Sequence, residues 1–154
     1  MSTAAEQLAA LGLTLPPVTA PVAAYVAAVR TGGYVYVSGQ LPVVDGKLAA
    51  TGKVGDAVSA QDAAGMARTC ALNALAAAAE AAGGLDAIRR IVKVVGFVAS
   101  APGFNAQPQV INGASELLIE VFGEAGRHAR SAVGVAELPL DAPVEVELIA
   151  EVRG

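Results

Sequence analysis

Arg130 is the side chain in this sequence that is best suited to bind an organic acid. It lies in a run with the composition of a strand, where it shares a face with Ala132 and Gly134. These small neighbours leave room around a guanidinium, whose planar fork can donate two parallel hydrogen bonds to a carboxylate. The sequence therefore predicts a carboxylate-binding position at Arg130.

Two glutamates lie on what reads as the last strand. Glu145 and Glu147 alternate with apolar residues, so they share one face and lie about 6.5 to 7 Å apart. A glutamate beside a bound substrate can orient water or transfer a proton. If this strand pairs with the strand of Arg130, the three side chains can share a face, which depends on the register. A structural ion pair between the strands and a plain solvated face remain open as alternatives.

The single histidine and the single cysteine give weaker indications. His128 could act as a general base, although a role in a loop or a subunit contact is the simpler interpretation. Cys70 lies in an alanine-rich helical pattern, which favours an inert core position. One histidine and one cysteine cannot form a zinc site, and no metal-ligand or nucleotide-binding motif is present, so we expect no metal.

Periodicity and turn residues predict the elements that position these side chains. Ser59 can cap the first long helix, and Gly83-Gly84 can end it. The predicted elements are a helix over 3–11, strands over 25–29, 34–40 and 47–51, a helix over 59–82, a strand over 91–99, a helix from 105 or 107 to 122, and strands over 129–136 and 144–152. This order indicates an α+β fold, a mixed sheet with two long helices packed on one face.

The composition favours self-association and a cytoplasmic location. The chain has 154 residues and is 55% hydrophobic, which is more apolar surface than one small domain buries alone. No apolar run reaches the roughly 18 residues of a membrane span, and the first residues lack the basic start of a secretory signal. A formal net charge of −4 disfavours a nucleic-acid surface. We expect one domain, no membrane contact, and a partner subunit over the free face of the sheet.

Several segments resemble the Rid (YjgF-type) reactive-intermediate deaminase family, which is also described as the endoribonuclease L-PSP family. Residues 129–150 are similar to its Ala-Arg-Ser strand, Leu-Pro turn and Glu-x-Glu closing strand. Residues 34–42 resemble its Ser-Gly-Gln segment, and 24–26 and 110–112 resemble two shorter segments. The resemblance covers residues from about 20 to 152 in order.

The resemblance implies a chorismate-mutase-like fold, a homotrimer and ligand sites in clefts between subunits. It implies one Rid-like domain over 1–154, with a helix and extended segment over 1–20 and the core over 21–154. The implied activity is hydrolysis of enamine or imine acids, which pyridoxal-phosphate enzymes release, to 2-oxo acids and ammonia without a cofactor. By position, Arg130 would hold the substrate carboxylate and Glu145 the attacking water. The cleft would be lined by Tyr25, Ser38, Gly39, Asn112 and Ala132.

Three departures from the family pattern indicate a distinct subgroup. Ala132 stands where many members have a cysteine, the lead-in Gly126-Arg127-His128 replaces the usual Phe-Pro, and the N-terminal segment is longer. Two alternatives to a deaminase therefore remain. One is a non-catalytic trimer that binds small carboxylates or metabolites, and the other is an endoribonuclease.

Overall fold

A five-stranded mixed sheet forms the frame of this computed structural model, which describes residues 1–21 and 23–154. The elements in chain order are α1 (Ala4–Ala10), β1 (Ala28–Thr31), β2 (Tyr34–Gln40), β3 (Val43–Val44), β4 (Lys47–Leu48), α2 (Ala60–Ala82), β5 (Ile88–Ala99), α3 (Gln107–Phe122), β6 (Ala129–Val135) and β7 (Val144–Val152). The order in the sheet is β1-β2-β7-β5-β6, and only β5 and β6 pair in parallel. Strands β3 and β4 form a separate hairpin.

Local signals at both ends define the long helix α2. The Ser59 side chain accepts a hydrogen bond from the Asp62 backbone N–H at 3.0 Å. Gly83 ends the helix in a left-handed conformation with φ 94°, which a residue with a Cβ rarely adopts. The predicted helix therefore forms within its predicted limits, and α3 likewise ends at Phe122 before Gly123.

The core lies between α2, α3 and one face of the sheet. Strict alternation on β7 buries five apolar side chains against the helices. They are Val144, Val146, Leu148, Ala150 and Val152. The two helices approach so closely that a Cβ on Gly113 would overlap the backbone oxygen of Ala64. The predicted α+β class, with two long helices on one face of a mixed sheet, is confirmed.

The structure corrects four predictions about the strands. The first strand begins at Ala28 rather than at residue 25, because its ladder with β2 ends at the pair Ala28 and Val37. The strand predicted over 47–51 covers only Lys47–Leu48, and β5 begins at Ile88, earlier than expected. The hypothesis that the strand of Arg130 pairs with the last strand is wrong, because β5 lies between β6 and β7.

Within the described part of the chain, no helix combines the length and hydrophobicity that crossing a membrane requires.

The helix α1 is held by a capping box, in which the Thr3 and Glu6 side chains each accept a hydrogen bond from the other residue's backbone N–H. Its first turn is tied to the body of the fold, because the Ala5 N–H donates to a carboxylate oxygen of Asp86 at 2.9 Å.

Candidate functional site

Arg130 lies on the edge strand β6 and projects to the side of the sheet that carries the helices. Its register partner on β5 is Val94, which in turn pairs with Leu148 on β7. The side chains of Val94 and Leu148 are buried beneath the helices. The guanidinium Nη1 donates to Oδ1 of Asn112 at 2.8 Å and to Oγ of Ser115 at 3.2 Å. Two neutral side chains of α3 therefore fix the orientation of this cation.

The guanidinium of Arg130 keeps hydrogen-bonding capacity for an external anion. No carboxylate of the described residues lies within 4.0 Å of it, so the cross-strand ion pair considered from the sequence does not form within one chain. Its Nε and Nη2 donate no hydrogen bond to the described residues, and the side chain is partly exposed. A partly exposed guanidinium with free donors is a suitable receptor for a carboxylate.

Glu145 projects from the opposite face of the sheet. Its register partner is Phe97, and both lie on the open face, which we define as the sheet surface away from the helices that carries Tyr36, Phe97, Val133, Glu145 and Glu147. The carboxyl group is half-buried. Burial raises its pKa, and the nearby negative charge of Glu147 raises it further. Glu145 is therefore easier to protonate than an ordinary glutamate, as a group that transfers protons should be.

Gly39 lies directly against the Glu145 carboxylate. A Cβ on Gly39 would lie 2.7 Å from Oε2 and 2.8 Å from Cδ of Glu145, so only glycine leaves this space. The bulge between Val37 and Gln40 brings the Gly39 backbone to this position. The pairing of Gly39 with Glu145 is one of the contacts that the structure makes between predicted site residues.

Ser38 and Tyr25 belong to the adjoining loop. The Ser38 hydroxyl donates to the Val26 carbonyl at 2.6 Å, and its N–H donates to the Ala27 carbonyl at 2.8 Å. Ser38 thus fastens the segment before β1 to β2. Tyr25 is 57% exposed and lines a cleft with Pro21 and Glu80 beside α2.

Within one chain the predicted site residues form separate groups. Arg130 contacts Asn112, and Ala132 lies on the same face of β6, where it packs against the core. Glu145 and Gly39 meet at the open face, and Tyr25 lies near α2. The hypothesis that Arg130 shares a face with Glu145 and Glu147 is wrong. Successive residues along a strand point to opposite faces of the sheet. Glu147 has the register position of Ser131, the residue after Arg130, so Glu147 and Arg130 point to opposite faces.

The structure adds Ser115 and His128 to the surroundings of Arg130. The Ser115 hydroxyl lies 2.9 Å from Nε2 of His128, and Nδ1 of His128 lies 2.6 Å from the Gly126 carbonyl oxygen. Ser115 is only 9% exposed in the middle of α3, so it is neither a cap nor a solvated position. The sequence did contain a signal for Ser115, because it lies three residues after Asn112 and therefore shares a helix face with it.

The other candidate groups have structural surroundings. Cys70 is completely buried on α2, and burial raises the pKa of its thiol well above the usual value, as expected for an inert core cysteine. Over residues 1–21 and 23–154, no group of three histidine, cysteine, aspartate or glutamate side chains is placed to hold a metal ion.

Known proteins are similar to this chain over almost its whole length. The model of a family described as "YjgF/chorismate_mutase-like, putative endoribonuclease" matches residues 5–152. Protein TCP17 of Trypanosoma cruzi is 45% identical over 150 residues, which are 97% of this chain and 94% of that protein.

Solved structures agree with the sequence matches. The crystal structure of a "putative endoribonuclease" from Shewanella oneidensis MR-1 is 34% identical with a TM-score of 0.94, over 98% of this chain and 100% of that one. The structure of E. coli TdcF with bound serine is 29% identical with a TM-score of 0.64, over 89% of this chain and 94% of that one. The resemblance drawn from residues 34–42 and 129–150 is confirmed, and the chain belongs to the YjgF/chorismate mutase-like family.

Proposed function

We propose that this protein hydrolyses reactive 2-imino and enamine acids to 2-oxo acids and ammonia, with Arg130 holding the substrate carboxylate. The observation that supports this most directly is the guanidinium of Arg130, which is oriented by Asn112 and has no carboxylate partner among the described residues. The relative TdcF was solved with bound serine, a small molecule with such a carboxylate.

Binding through Arg130 orients the reacting carbon. Two parallel hydrogen bonds to a carboxylate fix both the position and the rotation of a small acid. The adjacent C=N carbon of an iminium is already electrophilic, so placing it next to a water molecule provides much of the rate enhancement. The protein then needs only one group that can take up and return a proton.

Glu145 is that group in the proposed reaction. Its carboxylate accepts a proton as the water oxygen bonds to the imine carbon, which gives a carbinolamine. The protonated Glu145 returns the proton to the nitrogen, and the C–N bond breaks with its electron pair leaving on ammonia. The regenerated Glu145 carboxylate takes the hydroxyl proton as the carbonyl forms, and this proton passes to the released ammonia, which leaves as ammonium. The raised pKa of Glu145 suits both directions of transfer.

A site with both residues requires two subunits, because Arg130 and Glu145 project from opposite faces of one sheet. The open face also carries exposed apolar side chains, including Tyr36 at 47% and Val133 at 43%. A second copy of the chain would remove this surface from water. A homotrimer with its sites between subunits accounts for both features, and its mass in solution tests it.

The proposal is tested by generating a 2-imino acid with an amino-acid oxidase and following its decay. We expect the wild type to accelerate the decay and Arg130→Ala to lose this effect. The affinity of Arg130→Ala for 2-oxobutyrate should fall roughly tenfold to a hundredfold, because a charge-assisted hydrogen bond is lost. Arg89→Ala is the matched control, since Arg89 is an exposed arginine on β5 whose side chain forms no hydrogen bond with the described residues.

The outcomes separate the alternative functions. Binding of 2-oxobutyrate that depends on Arg130, without any acceleration of imine decay, would mean a non-catalytic carboxylate-binding protein. The names of several relatives point to RNA cleavage, so RNA is assayed with the same variants. The net charge of −4 argues against extended phosphate contacts. Cleavage that Arg130→Ala abolishes in pure protein would overturn the deaminase proposal.

A further inference from the structure

A chain of hydrogen bonds runs from the backbone of the turn before β6 to the guanidinium of Arg130. It passes from the Gly126 carbonyl to Nδ1 of His128 at 2.6 Å, and from Nε2 of His128 to Oγ of Ser115 at 2.9 Å. Oγ of Ser115 then accepts from Nη1 of Arg130 at 3.2 Å. We call these three side chains the Ser115–His128–Arg130 relay.

The chemistry of each partner fixes the protons in this relay. A carbonyl oxygen can only accept, so Nδ1 of His128 carries a proton and donates it to Gly126. A neutral His128 therefore presents Nε2 as an acceptor, to which the Ser115 hydroxyl donates. The Ser115 oxygen is then free to accept from Arg130, which can only donate.

The groups that anchor the relay, the Gly126 backbone and the Ser115 side chain, are held in place by packing. Gly126 packs so tightly on α3 that a Cβ there would overlap the carbonyl oxygen of Leu118, which fixes the acceptor of His128. Ser115 is 9% exposed in the middle of the same helix. The single flexible member is the arginine, so the relay limits the positions that its guanidinium can take.

We propose that Ser115 and His128 are positioning residues for Arg130, and that the neutral form of His128 is the one that holds the guanidinium for acid binding. This inference rests on the proposed role of Arg130 as the carboxylate receptor. Protonation of His128 would place a second cationic donor on the Ser115 oxygen and a like charge beside Arg130. Both changes weaken the hold on the guanidinium.

The charges around His128 are consistent with a neutral ring. Its pKa lies below the usual range, because burial disfavours the charged form and the positive charge of Arg130 disfavours it further, while the bond to Gly126 acts the other way. The charged residues on the neighbouring elements are Glu116 and Glu120 on α3, Glu124 in the turn, Arg89, Arg90 and Lys93 on β5, and Arg127. Glu120 pairs with Arg68 on α2. Glu124 pairs with Arg127 at 3.2 Å, and Arg90 donates to the Arg127 carbonyl at 2.8 Å.

The chain has one histidine, so the relay can be read directly by NMR of the imidazole nitrogens. We expect the Nδ1–H tautomer at neutral pH, and a rise in the pKa of His128 in Arg130→Gln, because the neighbouring cation is removed. An Nε2–H tautomer, or the same pKa in both proteins, would overturn the relay whether or not any ligand binds.

Affinity for 2-oxobutyrate is then measured from about pH 8 down to about one pH unit below the pKa of His128 that the NMR titration gives, since this pKa lies below the usual histidine range. The ligand stays ionised over this range. We expect the affinity of the wild type to fall about threefold to tenfold as the pH falls through the pKa of His128. His128→Gln can still accept from Ser115 but does not titrate, so it should keep the neutral-pH affinity and lose the fall. Ser115→Ala should bind more weakly at neutral pH.

The raised pKa of Glu145 brings a second titrating group towards the same range, so the titrations are repeated on Glu145→Gln. An acid-side fall that persists in His128→Gln on this background would overturn the positioning role. If wild type and Arg130→Ala bind 2-oxobutyrate equally, the proposed function fails instead. If His128 has only a structural role, the affinity of His128→Gln should be lower than that of the wild type at every pH. Circular dichroism shows whether that variant is folded.

Discussion

At the residue scale, the two charged groups of the proposed site have surroundings that suit different tasks. Arg130 is held by neutral acceptors on α3, so its charge is not cancelled within the chain. Glu145 lies against a glycine on the open face, where burial raises its pKa. One environment preserves a cation for binding, and the other prepares a carboxyl group for proton transfer.

The contact of Gly39 with Glu145 gives a prediction about activity. In Gly39→Ala the new Cβ would lie 2.7 Å from Oε2 of Glu145, and the flexible carboxylate can move away without unfolding the sheet. We expect imine hydrolysis to fall by roughly tenfold to a hundredfold, since a small displacement of a reacting group is costly, with little change in the unfolding temperature.

Gly33→Ala is the control for that variant, because a Cβ at Gly33 in the β1–β2 turn meets nothing within 4 Å. Its rate should match the wild type. A Gly39→Ala protein that retains the full rate would show that the position of the Glu145 carboxylate does not limit catalysis.

The sequence indicated Arg130 and Asn112 but not the link between Ser115 and His128. Those two residues are 13 positions apart, and their contact depends on how the turn after α3 folds back on that helix. A helix face can be derived from spacing, whereas the direction of a turn depends on packing that spacing does not encode. His128 therefore read as a loop residue.

At the element scale, the close approach of α2 and α3 sets the position of the helix that holds Arg130. Gly113 on α3 sits against the Ala64 backbone on α2. In Gly113→Ala the helices must separate, so we expect a loss of about 1 to 3 kcal/mol in the free energy of unfolding. Urea unfolding at one fixed protein concentration measures it, because association would shift the midpoint.

Gly65→Ala is the matched variant on α2, where a Cβ meets nothing within 4 Å. Alanine favours the helix there, so this protein should gain about 0.5 to 1 kcal/mol. Equal changes in the free energy of unfolding for Gly113→Ala and Gly65→Ala would contradict the inference that the close approach of α2 and α3 requires Gly113.

The sequence predicted the helices and strands themselves better than it predicted which strands pair with each other in the sheet. The alternation from Val144 to Val152 and the caps of α2 are local signals, and both are confirmed. The start of β1 at Ala28 and the place of β5 between β6 and β7 depend on partner strands that are distant in sequence. The pairing of strands is therefore what the sequence alone left open.

At the scale of the whole molecule, the helices cover one face of the sheet and leave the open face uncovered by them. Exposed Tyr36 and Val133 lie on it beside the partly buried Glu145 and Glu147. The high apolar content noted from the sequence is thus partly displayed on one surface. Within a single chain, the helices cover one face of the sheet. The proposed association of three chains would cover the open face.

Since Arg130 and Glu145 point away from each other within one chain, two inactive proteins should rescue one another when mixed. Arg130→Ala and Glu145→Gln are denatured together and refolded in equal amounts. About three-quarters of randomly assembled trimers contain both variants, and each has one intact site of three, so about a quarter of the wild-type activity should return. Heterotrimers isolated with distinct tags and still without activity would place both residues in a single-chain site.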